Sequence, residues 1–228
     1  MPTPSLALSR LLHLASPALP VGAFSYSQGL EWAVECGQVS DAAQAERWIG
    51  DVLRLVIVRC EGPALVQLMR AWRAGNHADV LALNAGFIAT RETAELRAET
   101  VQMGYSLARL LRDIGDMPDA VRDTLAEPRE MAFPTAWAAA AACWRLDEAD
   151  AVNAYLWAWL ENQTMAAIKL VPLGQTAGQK MLLALSEELP ALTGEVLDRA
   201  EGEWENFAPA QTIACGLHET QYTRLFRS

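Results

Sequence analysis

Residues 147–172, DEADAVNAYLWAWLENQTMAAIKLVP, are the stretch that decides the fold. Asp147 is a good helix N-cap, because its carboxylate can accept hydrogen bonds from the free backbone N–H groups of a first turn. Pro172 marks the other end, since proline cannot continue a helix. From Tyr155 to Leu160 apolar residues occur on nearly every side, which is typical of a buried helix. The stretch therefore predicts a long central helix.

Helical periodicity continues on both sides of this stretch. From Ala45 to Val56 apolar residues recur at i, i+3, i+4 and i+7, as on one face of an amphipathic helix. The β-branched run from Val52 to Val58 could form a strand, but no partner strand is visible elsewhere. We therefore predict an all-α, single-domain bundle of about ten helices. Further helices are expected at 5–15, 24–36, 77–90, 91–114, 134–144, 175–189 and 192–206, and Gly62-Pro63 is expected to break or kink the third one.

The composition excludes several classes of protein. Of the 228 residues, 52% are apolar, enough for a core without disulfides. A net charge of −10, with lysine only at Lys169 and Lys180, argues against a nucleic-acid partner. The apolar runs 11–23 and 132–144 are interrupted by proline or too short for a bilayer, so no signal peptide or membrane segment is predicted. The four cysteines form no C-x-x-C pair, and we expect a cytoplasmic protein with reduced thiols.

No catalytic, cofactor or metal site is predicted. A metal site needs several converging ligands, and the three histidines are spread along the chain. The weak candidates are Cys215 and His218, which are three residues apart and share one face of a helix. Two ligands are too few, although a symmetric dimer could bring two such pairs together.

Short motifs that resemble active sites fail in detail. His218 to Tyr222 has tyrosine where the helix of a zinc protease has its second histidine. Residues 174–180 lack the second glycine and the final hydroxyl residue of a phosphate-binding loop. Ser25 and Ser27 lack the flanking glycines of a nucleophile elbow. The chain is therefore predicted not to be an enzyme.

Two alternatives stay open at this stage. In a helical enzyme the residues would converge only in three dimensions, and a pocket at Glu161 with a raised pKa would favour that class. A ligand-sensing domain, like the regulatory half of a repressor, would need a DNA-binding partner segment, and no basic recognition helix is visible.

Three stretches carry more polar and aromatic detail than packing requires: 19–31, 171–179 and 222–228. In the first, Gly29 falls inside a predicted helix, where glycine costs about 1 kcal/mol relative to alanine, so another backbone is expected to approach it. In the last, two arginines flank apolar residues, a composition common in interface anchors. The residues predicted to bind partners are Phe24, Ser25, Tyr26, Ser27, Gly29, Glu31, Gln175, Gln179, Tyr222, Arg224, Leu225, Phe226, Arg227 and Ser228.

These stretches resemble the motifs of the urease accessory protein family UreF, in order and spacing across nearly the whole chain. The segment Pro20 to Glu31 resembles the family's N-terminal signature. The other matching segments are Gln102-Met103-Gly104 with Ser106-Leu107, Pro172-Leu173-Gly174-Gln175 with Gly178-Gln179, and Arg224-Leu225-Phe226-Arg227-Ser228.

The resemblance implies an all-helical, usually dimeric adaptor and chaperone. Such a protein joins UreD, also called UreH, and the GTPase UreG in a complex that delivers nickel to apo-urease, and it ties GTP hydrolysis to metal loading. A homodimer is also expected from the apolar composition, with contacts near Phe24 and on the Ala136–Ala142 face.

The C-terminal part of the chain is expected to dock on a partner. We divide the chain into a helical core domain, 1–206, and a C-terminal helix with a docking tail, 207–228. The tail from Tyr222 onward should bind UreD, and without a partner it should be mobile or fold back near Tyr26. Replacing Phe226 or Arg224 by alanine is expected to weaken binding without lowering the melting point.

Overall fold

The computed structural model describes residues 2–199 and 204–228, and the regular structure in these ranges is entirely helical. The prediction of an all-α fold is confirmed. The helices are α1 (Pro4–Ala15), α2 (Leu30–Glu35), α3 (Ala42–Val52), α4 (Gly62–Arg73), α5 (His77–Ala89), α6 (Ala94–Ile114), α7 (Asp119–Ala126), α8 (Phe133–Cys143), α9 (Glu148–Leu170), α10 (Gln175–Ser186), α11 (Leu189–Asp198) and α12 (Pro209–His218).

Helix α9 is the central helix that its sequence predicts. The Asp147 carboxylate accepts hydrogen bonds from the backbone N–H groups of Ala149 and Asp150, at 2.9 and 3.2 Å. Along its length the helix packs against α1, α2, α3, α4, α10 and α11. Tyr155, Leu156 and Leu160 are buried, whereas Trp157, Ala158 and Trp159 are only partly buried, so one side of the apolar stretch lies in the core and the prediction of burial on nearly every side is wrong for the other.

Helices α3 and α4 are joined by a π-helical segment, Leu53–Glu61, rather than separated by a loop. The β-branched run is therefore helical, as predicted. Gly62-Pro63 does not end the helix, because the π-turns already interrupt the i→i−4 hydrogen bonds at this point and the missing N–H of Pro63 removes little more.

The alanine-rich helix α8 lies in the core, packed against α4 and α6. Ala136 and Ala138 to Ala141 are fully buried within the chain. The expectation that the Ala136–Ala142 face contacts a second copy is therefore wrong. Small side chains let neighbouring helices of the same chain approach closely, and that approach already covers this face.

The first signature is less helical than predicted. A single 3₁₀ turn, Ala23–Ser25, precedes a non-helical step at which Gln28 and Gly29 have φ of 52° and 84°. Helix α2 begins only at Leu30, so Gly29 is its N-cap and does not lie inside a helix.

The last helix before the C-terminal segment is shorter than the sequence predicts. The predicted helix 192–206 is seen only in part: α11 ends at Asp198, residues 204–206 are not helical, and residues 200–203 lie outside the described residues. The division at residue 206 stays a prediction. In the described part of the chain, no helix is both long enough and apolar enough to cross a membrane.

Candidate functional site

The last residues of the chain pack against the turn that precedes α2. The Ser228 carbonyl oxygen accepts hydrogen bonds from the Ser27 backbone N–H at 2.8 Å and from the Ser27 hydroxyl at 2.5 Å. The Arg227 backbone N–H donates to the Ser25 carbonyl at 2.8 Å. Of the two expected arrangements of the tail, 222–228, the structure shows the one folded back near Tyr26.

Glu31 holds the tail through its backbone. One oxygen of this buried carboxylate accepts from the Leu225 N–H at 2.6 Å, and the other accepts from the Phe226 N–H at 2.8 Å. Hydrogen bonds to an ionised acceptor are short and strong, and burial shields them from competing water. Glu31 therefore acts as a clamp on the tail, whichever side chains the tail carries at these two positions.

His218 connects this clamp to a second carboxylate. The fully buried imidazole contacts Glu31 through Nε2 at 3.1 Å and Glu95 through Nδ1 at 2.7 Å. Both contacts can be hydrogen bonds to carboxylates only when both ring nitrogens carry a proton. The other Glu95 oxygen accepts from the Arg224 guanidinium at 2.8 Å. A continuous chain of polar contacts thus runs from α2 through α12 to the tail.

This arrangement argues against a metal site at the candidate pair. Both nitrogens of His218 are engaged, and the Cys215 thiol is buried, where desolvation raises its pKa. Neither side chain is placed to meet a symmetry-related copy. Among the described residues, no three His, Cys, Asp or Glu side chains are grouped to hold a metal ion.

Gly29 explains why α12 can lie so close to α2. A Cβ atom on Gly29 would stand 3.0 Å from the Ala214 Cβ and 3.1 Å from the Cys215 backbone nitrogen. The expected close approach of another backbone is confirmed, although Gly29 caps a helix instead of lying within one. Its positive φ gives a second reason for glycine here.

Glu99, on α6, closes the far end of the tail. Its carboxylate accepts from Gln28 Nε2 at 2.8 Å and from the Ser228 hydroxyl at 3.0 Å, and the Gln28 oxygen accepts from the Trp159 indole at 2.9 Å. Glu99 is only 7% exposed, and burial raises its pKa to about 7. The group therefore changes charge near neutral pH, directly beside the docked tail.

The raised pKa of Glu99 predicts a pH-dependent stability. Between the ordinary pKa of 4.5 and the folded value of about 7, the folded chain keeps a proton that the unfolded chain has lost, so stability falls as pH rises through this window. The full loss is about 3 kcal/mol, at 1.36 kcal/mol per pKa unit. We expect Glu99→Gln to melt higher than the wild type at pH 8 and at the same temperature at pH 4, measured by circular dichroism. The exposed Glu187→Gln is the control, and a parallel response in both variants would contradict the assignment.

Gln102, from the motif on α6, contacts both the N-terminal signature and the C-terminal tail. The Tyr26 hydroxyl donates to Gln102 Oε1 at 2.8 Å, and the Arg227 guanidinium donates to the same oxygen at 3.2 Å. Sequence reasoning did not select Gln102, Glu95 or Glu99 as site residues, because polar and charged side chains off the apolar face of a helix are usually solvated. Their spacing of four and three residues puts all three on one face of the helix. This shared face was the feature of the sequence that could have identified them as a group.

Phe226 is buried and is not the exposed anchor that the sequence predicts. Its side chain is 5% exposed, belongs to the hydrophobic core, and has the Lys169 ammonium 5.5 Å from its ring centroid. Phe226→Ala is therefore expected to lower stability, contrary to the expectation from sequence, because removing a buried aromatic side chain leaves a cavity. Tyr222 is fully exposed and Leu225 is 66% exposed. The exposed apolar part of the tail thus consists of these two residues.

The remaining predicted residues lie outside the hydrogen-bonded cluster. Phe24 is 65% exposed on the 3₁₀ turn. Gln175 and Gln179 are exposed at the beginning of α10, and no described hydrogen bond joins either of them to the tail. The structure therefore brings together the stretches 19–31 and 222–228, which were selected from the sequence. The third selected stretch, 171–179, lies apart from them.

A cavity of about 230 Å³ opens beneath the first signature, between α1, α6 and α9. Its inner end holds a buried ion pair, in which the Arg91 guanidinium donates to Glu61 at 2.7 Å and the Tyr155 hydroxyl donates to the other Glu61 oxygen at 2.7 Å. Glu161 also lines the cavity, and partial burial raises its pKa. A pocket at Glu161 with a raised pKa is the observation that was expected to favour a helical enzyme.

The fold and this site define an all-α protein whose C-terminal tail is held by buried carboxylates against an N-terminal turn. The UreF family profile matches residues 39–186. The chain is 57% identical over 225 residues to the urease accessory protein UreF of Azoarcus sp. (strain BH72), covering 98% of this chain and 96% of the relative. It is 54% identical over 224 residues to that of Dechloromonas aromatica (strain RCB), covering 98% of both. The chain belongs to the UreF family of urease accessory proteins.

Proposed function

We propose that the protein is a non-catalytic adaptor that joins UreD and the GTPase UreG for insertion of nickel into apo-urease, and that it couples GTP hydrolysis to this step. Membership of the UreF family supports the general role. The docked tail is the observation that carries the specific role. It presents two exposed apolar side chains, Tyr222 and Leu225, and Glu31 fixes the backbone at Leu225 and Phe226.

A tail that is already docked lowers the entropic cost of binding a partner. An anchor residue on a free chain end loses conformational freedom when it docks, and this loss weakens binding. Here the Glu31 clamp and the buried Phe226 side chain hold the tail before any partner arrives. Tyrosine is one of the residues that dominate interface energies, and an exposed leucine close to it adds apolar area that a partner can cover. We therefore assign the UreD contact to this exposed pair rather than to Phe226.

We also propose that the protein works in the cytoplasm as a homodimer. With the Ala136–Ala142 face buried, the remaining predicted dimer contact is near Phe24, whose ring is exposed. The enzyme alternative is supported by Glu161, but its raised pKa results from burial alone, and acid–base or nucleophilic chemistry needs a second group within hydrogen-bonding reach. The cavity therefore favours binding over catalysis.

The test is the affinity of the protein for UreD. We expect Tyr222→Ala and Leu225→Ala each to weaken UreD binding about thirtyfold, corresponding to about 2 kcal/mol, while the melting point stays within about 2 °C of the wild type. The affinities are measured by titration with purified UreD, and biolayer interferometry records the binding. Leu183→Ala is the matched control, since Leu183 is an equally exposed leucine on α10. Wild-type affinity in both tail variants would refute this role of the tail.

A further inference from the structure

We propose that the cavity beneath the first signature is a binding site for a small primary alkylammonium ion. This inference goes beyond the adaptor role and does not depend on it. The cavity of about 230 Å³ is larger than the engineered cavity of about 150 Å³ that holds a benzene ring. A chain of about four carbons with an ammonium head group therefore fits within it.

The walls of the cavity provide aromatic faces. The rings of Phe133, Trp137 and Tyr155 form a cluster with centroids 5.2 to 5.8 Å apart, and Trp159 and Phe24 complete the aromatic lining. Aromatic faces attract cations, including the primary ammonium group of lysine, through the ring quadrupole, and sites lined by several rings bind quaternary ammonium ligands. Leu14, Leu96 and Met103 line the remainder and suit an alkyl chain.

Two of the carboxylates that line the cavity, Glu99 and Glu161, have no cationic partner among the described residues, and Glu99 is the more deeply buried of the two. Arg91 is engaged by Glu61, and Lys169 lies at the exposed edge near the Phe226 ring. Glu99 lines the cavity with only neutral hydrogen-bond donors, Gln28 and Ser228, and forms no ion pair with a described residue. A buried carboxylate without a counter-ion is unfavourable, and a bound ammonium ion would supply the missing charge.

The same features select against other ligands. An anion would face three carboxylates, those of Glu61, Glu99 and Glu161. A divalent metal ion needs several oxygen, nitrogen or sulfur ligands around one point, and no such group exists among the described residues. A neutral alcohol of the same length would fill the apolar space but leave Glu99 without a counter-ion.

Binding is expected to depend on pH through Glu99, whose pKa of about 7 makes the carboxylate mainly ionised at pH 8 and mainly protonated at pH 6. Because only the ionised form pairs with ammonium, the affinity should fall about tenfold between these values. The other titratable or charged groups that act on Glu99 or line the cavity are Tyr26, Glu61, Arg91, Tyr155, Glu161, Lys169 and Cys215. Burial raises the pKa of Tyr26, Tyr155 and Cys215, so these three stay neutral across this range.

Isothermal titration of the full chain with n-butylammonium chloride tests the proposal, with butan-1-ol, sodium butyrate and nickel chloride as comparison ligands. We expect saturable binding of butylammonium at pH 8, about tenfold weaker binding at pH 6, and no saturable binding of the alcohol or the carboxylate. Glu99→Gln should lower the affinity at least about tenfold and remove the pH dependence, whereas Glu187→Gln should change neither.

A second variant keeps the test decisive if Glu99→Gln disturbs the tail. Ala158 lines the cavity from α9, and Ala158→Met places a longer side chain in the space proposed for the ligand. This variant should lose butylammonium binding while the ionisable groups stay unchanged. The absence of saturable binding, equal binding of butan-1-ol, or displacement of butylammonium by nickel would each overturn the proposal.

Discussion

Gly104→Ala is expected to lower the free energy of unfolding by about 3 kcal/mol or more, which is a fall of roughly 10 °C in melting temperature for a chain of this size. A Cβ atom at Gly104 would lie 2.5 Å from the Ala132 carbonyl carbon and still closer to the Met131 carbonyl oxygen. These are backbone atoms just before α8, so the clash cannot be relieved by rotating a side chain. The segment would have to move away from α6, and its contacts with α4 and α6 would weaken together.

The matched control is Gly216→Ala. Gly216 is also helical, but outside its chain neighbours and the backbone of its own helix no described atom lies within 4 Å of the position its Cβ would take. Alanine there should be neutral or stabilising by about 0.5 kcal/mol, because it restricts the unfolded chain. Chemical denaturation of both variants gives the comparison, and an equal change in the two would show that α6 and the segment before α8 are not in close contact.

Glu31→Ala is expected to release the tail and to lower the free energy of unfolding by about 3 to 5 kcal/mol. The substitution leaves the Leu225 and Phe226 backbone N–H groups without their acceptor and removes the carboxylate that His218 Nε2 contacts. Each buried donor without a partner costs about 1 to 3 kcal/mol. Once these bonds are lost, the tail can reach water only by leaving its site, and the Phe226 ring leaves the core with it.

Limited trypsin digestion separates release of the tail from a general loss of stability. Cleavage after Arg224 and Arg227 should be much faster in Glu31→Ala than in the wild type at a temperature where both are folded, since cleavage needs an unfolded local segment. Glu35→Ala, at an exposed position one turn further along α2, is the control and should be cut like the wild type. Slow tail cleavage in Glu31→Ala would mean that the clamp does not hold the tail.

Local patterns in the sequence determined the helical architecture. An N-cap at Asp147, a proline after α9 and the apolar stretch between them specify one long central helix, and the period of 3.6 residues assigns the other helices. These signals depend only on residues a few positions apart, so they can be read without knowing any tertiary contact. The motifs resembling the UreF family were likewise visible in the sequence, and the comparisons confirm the family.

Tertiary structure decided which polar residues form the site and which apolar residues are exposed. Glu95 and Glu99 resemble a solvated helix face, yet Glu99 is buried because the tail, more than 120 residues later, covers it. Phe226 resembles an exposed anchor, yet it lies in the core because Glu31 binds the backbone beside it. Periodicity identifies the side of a helix that is apolar, but not the segment that covers the other side. Which distant segment covers a face depends on the packing of the whole chain, and that information is absent from any local stretch of sequence.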